Sequence, residues 1–455
     1  MQLQAVLGVA QALSLLLSVT FFMYIAVIVV PFLRSKPEEA GSSEKFDWHF
    51  FVPCRDEEAV IAATLDYLTS TFAHAHVWII DDASDDRTAE IAADFARANP
   101  RVHLVRRQLP EARTGKGDAL NAAYDSLNVF LGLAPGADRD RAIVCVVDAD
   151  GSPAANCLDI VSSSRLFGSA DVGGVQIEVR MKNCDDTPPG NRLQRFVGKQ
   201  LVRMQDIEFR TVIAAVQQSR RKSNTVGLGG NGQFARLSAL DGLQEQFGRP
   251  WHGSLLEDFE LGVHLLLLGW RNAYTASTYV AQEGLPSPSR FIVQRTRWGQ
   301  GVMQCIKYLP KLWSSPHVSN LGALEMGYYL FQPWITLLGT LIYTVPVAFF
   351  GYALVTVDGM LYQVLHGWIG ILLIVYAVFG IGVFALWGII YRKRFTPERS
   401  FLVGFGWGLA YFIYVYGFYI TTWKAFGRIL LGRSGWSKTR RNSEVGVLGP
   451  IALDH

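Results

Sequence analysis

Asp148 and Asp150 are two carboxylates separated by one residue, and they follow directly on the apolar run Ile143-Val144-Cys145-Val146-Val147. Two hard oxygen ligands at that spacing suit a divalent cation that keeps part of its water shell and grips a substrate diphosphate. A D-x-D pair fits a solvated loop as well, so its meaning depends on its surroundings. Further polar clusters stand at 53–58 (PCRDEE), 81–86 (DDASDD) and 114–121 (TGKGDALN), with the acid pair Glu257-Asp258 further on. Gln294, Arg297 and Trp298 occupy positions i, i+3 and i+4, so a helix over about 291–312 turns all three to one face. There an arginine fork can bridge diphosphate oxygens, and an indole offers a flat apolar surface to a sugar ring.

The elements that must position these groups alternate. Apolar runs at 48–52, 77–80, 102–105 and 143–147 read as strands, the last β-branched and nearly continuous, as in a strand buried on both faces. Between them, Val60, Ile61, Leu65 and Leu68 recur at helical spacing after the acids Asp56-Glu57-Glu58. Ser84 and Asp85 are N-cap candidates for a helix through 91–97, and 117–131 reads as another helix. Such alternation predicts an α/β domain with a mostly parallel, doubly wound sheet. The polar clusters then gather on the rim at the carboxyl ends of the strands, where open sheets bind ligands.

In these motifs the chain resembles the membrane-embedded glycosyltransferases of family 2. These are inverting enzymes of the GT-A fold that include cellulose, chitin and hyaluronan synthases. PCRDEE, DDASDD, TGKGDALN, DAD at 148–150, LEDFE at 256–260 and QRTRW at 294–298, the family's Q-x-x-R-W signature, occur in the family's order. The resemblance implies a UDP-sugar donor and Mg2+ or Mn2+, held chiefly by Asp150, with Asp148 touching both the ribose and the metal site. It implies nucleotide contacts from Pro53, Arg55, Glu57 and Asp82, diphosphate contacts from Lys116, Gln294 and Arg297, and acceptor contacts from Glu257, Trp298, Gly230 and Asn231. Asp258 is then the base. An acceptor hydroxyl has a very high pKa, and inversion in one displacement needs a carboxylate on the face opposite the leaving group. Leu256 stands where the family usually has Thr, which leaves the carboxylates unaffected. GLGGNG at 227–232 satisfies a dinucleotide fingerprint but lacks the opening strand, and in the family this segment lets backbone approach the sugar.

The 455 residues carry a net charge of +3, and no nucleic-acid partner is expected. No charged residue occurs between Gln2 and Leu33, and further apolar runs at 328–355, 368–390 and 401–421 are long enough to span a bilayer. The expected organisation is a transmembrane helix at 1–33 and a cytoplasmic GT-A domain at 34–320, with an interfacial helix at about 291–313. Transmembrane helices at 321–423 and a basic tail at 424–455 follow. Arg34 and Lys36 place the domain on the cytoplasmic side of a multi-pass cell-membrane protein, and Arg392-Lys393-Arg394 returns inside. Simple parity then puts the basic tail outside, a conflict that an interfacial or re-entrant segment would remove. Trp436-Ser437-Lys438-Thr439-Arg440 loosely resembles a tail element that touches the active site in some relatives.

Five cysteines without C-x-x-C spacing predict neither a zinc site nor a disulfide framework, and nine scattered histidines predict no metal site. The polar stretch 191–221, with Gln205, Asp206 and Glu208, reads as a solvated or membrane-apposed helix. The leading expectation is a processive β-glycan synthase acting on a growing polysaccharide. A lipid glycosyltransferase resembling glucosylceramide or glucosyldiacylglycerol synthases is the alternative, and a catalytically silent nucleotide-sugar-binding membrane protein is a reading from another class.

Overall fold

The computed structural model describes residues 2–133 and 137–433, and the element 436–440 lies outside them. The apolar helix α1 (Gln2–Leu33) leads into β1 (Asp47–Cys54), α2 (Ile61–Thr71), β2 (His76–Asp82), α3 (Thr88–Ala98), β3 (Val102–Arg107), α4 (Lys116–Gly132) and β4 (Ala142–Val146). These four strands pair in parallel, β1 lying between β2 and β4 and β2 between β1 and β3. The register sets Cys54 beside Asp81 and Asp82 beside Arg107, which builds the shared rim. Alternation along β1 sends Phe50 and Val52 into the core under α2, and Phe51 into the core under α4. Each such buried side chain contributes about 1.5–3 kcal/mol.

Two helix starts differ from expectation. Asp56 adopts φ 52°, so the acids of PCRDEE form a loop and α2 begins only at Ile61. At α3 the capping contact comes from Asp86, which accepts the Thr88 N–H at 2.9 Å, and neither Ser84 nor Asp85 is the cap.

The chain continues through β5 (Ser152–Pro153), α5 (Cys157–Val161), β6 (Val172–Met181), α6 (Arg192–Ile207), a π-helical turn (Glu208–Ile213) and α7 (Ala214–Ser223). Then come β7 (Gln233–Arg236), α8 (Leu237–Phe247), α9 (Glu257–Leu267), β8 (Arg271–Gln282), α10 (Pro288–Cys305) and α11 (Leu309–Ser314). The eight strands form one sheet in the order β3-β2-β1-β4-β7-β6-β8-β5. Because β7 runs antiparallel to both β4 and β6, and β5 antiparallel to β8, the sheet is mixed; parallel pairing covers β1 to β4 and returns between β6 and β8. The expected helix over 291–313 is α10 and α11 joined by a 3-10 turn at Ile306–Tyr308.

The stretch 191–221 is exposed only over its first two turns, and from 200 onward it is buried or half-buried. It is broken by the π-helical turn, and Gln205, Asp206 and Glu208 are buried. Their polar character reads as exposure, yet each meets a partner distant in the chain: Gln205 donates to the Leu285 carbonyl, Asp206 accepts from Tyr391, and Glu208 accepts from Arg295 and Tyr414. Four further helices follow among the described residues, α12 (Asn320–Thr356), α13 (Met360–His366), α14 (Trp368–Phe395) and α15 (Phe401–Leu430). Among the described residues three helices are long and apolar enough to cross a membrane, at Gln11–Leu33, Asn320–Thr356 and Phe401–Leu430. Helix α14 covers the fourth apolar run. The tail expected from 424 therefore starts as helix, since α15 continues to Leu430. One apolar core joins these helices to the domain: Ile28 and Phe32 of α1, Ile207 of α6, Phe291 of α10, Trp387 of α14 and Tyr411 of α15. All five cysteines are buried.

Candidate active site

The rim of the parallel strands carries the first half of the site, and its loops are tied to one another before any ligand enters. The Asp56 N–H donates to Ser84 Oγ at 3.0 Å, and Asp56 Oδ1 accepts the Asp85 N–H at 2.7 Å. The Glu57 N–H donates to Thr88 Oγ1 at 2.7 Å. Pro53, Arg55 and Glu57 are thereby fixed beside Asp82, and all four line one cavity. Asp82 is buried and accepts hydrogen bonds from the Arg107 guanidinium and from the Arg113 N–H at 3.0 Å. Neither arginine follows from motif spacing. Arg107 reaches Asp82 because β2 and β3 pair in that register.

Lys116 opens α4, and its Nζ sits 2.7 Å from Asp148 Oδ1 and 2.7 Å from the Gly230 carbonyl oxygen. Burial alone would lower the Lys116 pKa, but the charges of Asp148 and Glu257 outweigh it and the ammonium is held more firmly than usual. Asp150 is almost fully buried, with Oδ2 accepting the Glu283 N–H at 3.0 Å. Asp148 is more open, and its N–H donates to Asn231 Oδ1 at 3.2 Å. Asn231 in turn donates to Gln282 Oε1 at 2.8 Å. Its side chain thus orients the carboxylate pair, a positioning role beside the acceptor contact expected of it.

No group of three or more metal-ligating side chains occurs among the described residues. Two adjacent carboxylates nonetheless fit a Mg2+ or Mn2+ that takes its other ligands from water and a diphosphate.

Glu257 and Asp258 form the first turn of α9, where the helix dipole favours acids. Asp258 Oδ1 accepts the Phe259 N–H at 2.7 Å. Burial, reinforced by the neighbouring Glu257 charge and opposed by Lys116, pushes the Asp258 carboxyl up to about 7. Burial likewise raises Glu257, against the attraction of Lys116 and Arg297. The approach to α9 is tied to α10: Gln304 Oε1 accepts the Leu255 N–H at 3.0 Å, and Glu260 accepts the Tyr308 hydroxyl and the Ser254 N–H. The expectation that Gln294, Arg297 and Trp298 share a face holds, since all three line the cavity that contains Asp258.

Sequence reading missed what stands behind Trp298. Arg295 makes a two-pronged ion pair with Glu208 at 3.1 and 2.6 Å, and its guanidinium carbon lies 4.1 Å from the Trp298 ring. Tyr414 of α15 also donates to Glu208. The partners lie 87 and 206 positions apart, so no local signal could have joined them. The cavity, about 650 Å³, is continuous from Asp82 and Asp148 past Asp258 and Trp298 to Ile25 of α1, Thr336 of α12 and Val415 of α15.

The sequence pattern of the family described as glycosyltransferase like family 2 matches residues 47–301. The β-monoglucosyldiacylglycerol synthase of Trichormus variabilis is 31% identical over 264 residues, which are 56% of this chain and 48% of that protein. The protein of the same name from Synechocystis sp. is 29% identical over 287 residues, 60% and 53% of the two chains. This chain therefore spans about half the length of these relatives. Among solved structures, the mannosyltransferase PcManGT from Pyrobaculum calidifontis in complex with GDP-Man and Mn2+ superposes with a TM-score of 0.51 at 16% identity. The match covers 90% of this chain and 98% of that one, and it speaks for the fold alone.

Proposed function

Since the chain belongs to the glycosyltransferase-like family 2, we propose that it transfers a hexose from a UDP-sugar to the hydroxyl of a membrane lipid, with inversion at the anomeric carbon. The observation that carries this reading is the cavity, which joins the carboxylate rim to the apolar helices without interruption. A lipid whose acyl chains lie among α1, α12 and α15 could present its headgroup at Asp258 from there. The relatives named as glucosyldiacylglycerol synthases support the lipid acceptor over the growing polysaccharide that the motifs alone favoured.

In this reading the rim loop 53–57 and Asp82 hold the nucleoside, and Lys116 and Arg297 face the diphosphate. Asp148 and Asp150 would hold the Mg2+ or Mn2+, which supplies positive charge to the leaving group. Asp258 takes the proton of the lipid hydroxyl as its oxygen bonds to the anomeric carbon, and the bond from that carbon to the diphosphate oxygen breaks. A carboxylate with a pKa near 7 is a stronger base than an ordinary aspartate and is still half ionised at neutral pH. Trp298 offers its face to the sugar.

Helix α15 bears on topology as well. Near its start Trp407 packs under Arg203 of α6 at 5.3 Å, and near its end Arg428 donates to Gln300 of α10 at 2.8 Å. Contact with the domain at both ends supports an interfacial α15, which would return the tail to the cytoplasmic face and remove the parity conflict.

The test is incubation of the protein in lipid nanodiscs with radiolabelled UDP-glucose, diacylglycerol and Mg2+ or Mn2+, beside Asp258→Asn. Lipid-extractable label from the wild type alone is expected. Label of high molecular weight would restore the polysaccharide reading, and equal label from both proteins would remove Asp258 as base. No label from any UDP-sugar would leave the silent binder.

A further inference from the structure

We propose that Arg220 and Glu325 read the headgroup of the acceptor: the guanidinium of Arg220 donates to a neutral oxygen of a glycerolipid, and Glu325 keeps anionic lipids out. This rests on the lipid-acceptor reading above and adds a specificity determinant to it.

Arg220 lies near the carboxyl end of α7 and is only 3% exposed, yet its side chain lines the cavity. Its Nε donates to Glu325 Oε1 of α12 at 2.8 Å, and its guanidinium stands 4.3 Å over the Tyr329 ring. The other Glu325 oxygen accepts Thr225 Oγ1–H at 2.9 Å. Asn224, at φ 55°, ends the helix and brings Thr225 back to that carboxylate. The guanidinium is therefore fixed from two sides, while its Nη2 has no hydrogen-bond partner among the described residues. A buried donor of that kind is costly unless a partner arrives.

The place of this donor relative to the base identifies the partner. A side chain at Gly227 would meet Arg220 Nη1 at 3.2 Å, and one at Gly230 would meet Asp258 Oδ2 at 3.1 Å. Those two glycines are three residues apart, at most about 10 Å of chain. Phe259, next to Asp258, also packs on Tyr329 with ring centroids 5.1 Å apart. A hydroxyl at Asp258 and an oxygen at Arg220 thus belong to one small headgroup. In a glycerolipid, the free hydroxyl and the ester carbonyls are separated by only a few bonds.

Charge decides the type of oxygen. Arg220 is already balanced by Glu325, and Glu257 and Asp258 lie on the same cavity. A phosphate would add negative charge beside Glu325, at an arginine whose charge that carboxylate already balances, whereas an ester carbonyl accepts one hydrogen bond without charge.

The experiment uses the full chain in nanodiscs with a photoactivatable diacylglycerol, diacylglycerol as acceptor and phosphatidic acid as competitor. Arg220→Gln with Glu325→Gln should raise KM for diacylglycerol about tenfold, the worth of one charged hydrogen bond. KM for UDP-glucose should stay within about twofold. Glu325→Gln alone should tighten inhibition by phosphatidic acid about tenfold. Arg220→Lys keeps the charge but loses the fork, and it carries the same KM test should the double variant misfold. Wild-type KM for diacylglycerol in both Arg220 variants, or unchanged inhibition in Glu325→Gln, overturns the proposal. If the wild type crosslinks diacylglycerol at α7 or α12 but puts no sugar on it, the subsite stands and the proposed transferase function falls. Absence of any such crosslink overturns the subsite itself.

Discussion

Two ion pairs line the same cavity. Lys116–Asp148 spans 2.7 Å on the strand rim, with its side chains 16% and 27% exposed. Arg295–Glu208 spans 2.6 Å behind Trp298, with side chains 6% and 9% exposed and Tyr414 closing it from α15. The less buried pair is the easier to part, so on the proposed function Lys116 and Asp148 can release one another as a diphosphate and a cation take their places. A sealed pair cannot, because either charge left alone in the interior is heavily penalised. On the proposed function, the donor side is the one that substrate rearranges, and the side toward the apolar helices holds still.

The largest effect tests the group between them. Asp258→Asn should lower kcat about 10³-fold with the fold retained, since a general base is worth about that much. In the wild type, kcat/KM should rise about tenfold per pH unit up to about 7 and level off above it, because the raised carboxyl must lose its proton to act. The variant's residual rate should lack that limb, and a limb that persists would assign it to another group.

Next comes the sealed pair. Glu208→Gln should cost about 3 kcal/mol of stability by leaving Arg295 without its counter-charge, read as a lower thermal midpoint. Replacing both, Glu208→Met with Arg295→Met, should recover most of it. If Glu208→Gln instead lowered kcat at unchanged stability, the pair would belong to the chemistry and the contrast would fail. Lys116→Met is the converse: about a 10²-fold loss in kcat/KM for the donor, with the thermal midpoint nearly kept.

The same contrast separates what the sequence revealed from what it concealed. The rim was legible because each cluster follows its own strand directly, and parallel pairing of β1, β2, β3 and β4 brings adjacent strand ends together. Asp82, Asp148 and Asp150 needed only that rule. Even there, Arg107 escaped notice, because its contact depends on register and not on a motif. The membrane side was illegible for two reasons. Glu208 looked solvated because a carboxylate is exposed unless a partner meets it in the interior. Its partners also come from α10 and α15, elements whose mutual arrangement no local pattern encodes. Apolar length alone likewise does not say whether α15 crosses a bilayer or lies along α6 and α10.

The smallest effects come from the glycine loop between the two sides. At Gly230 an added methyl would stand 3.1 Å from Asp258 Oδ2 and 3.2 Å from Lys116 Nζ, so both must yield by a few tenths of an ångström. Its backbone lies outside the left-handed region, so Ala adds no backbone strain there. Gly230→Ala should therefore lower kcat by roughly the few-fold that such a displacement of base and cation costs. At Gly227 the same methyl meets Arg220 Nη1 at 3.2 Å and Phe259 at 3.5 Å, on the lipid side. Gly227→Ala should leave the KM of the donor alone and raise that of the lipid, again by roughly a few-fold. Steady-state kinetics with each substrate varied in turn separates the two. If both variants moved the same constant, the loop would not divide donor from acceptor, and the open and sealed pairs would have to be read as parts of one site.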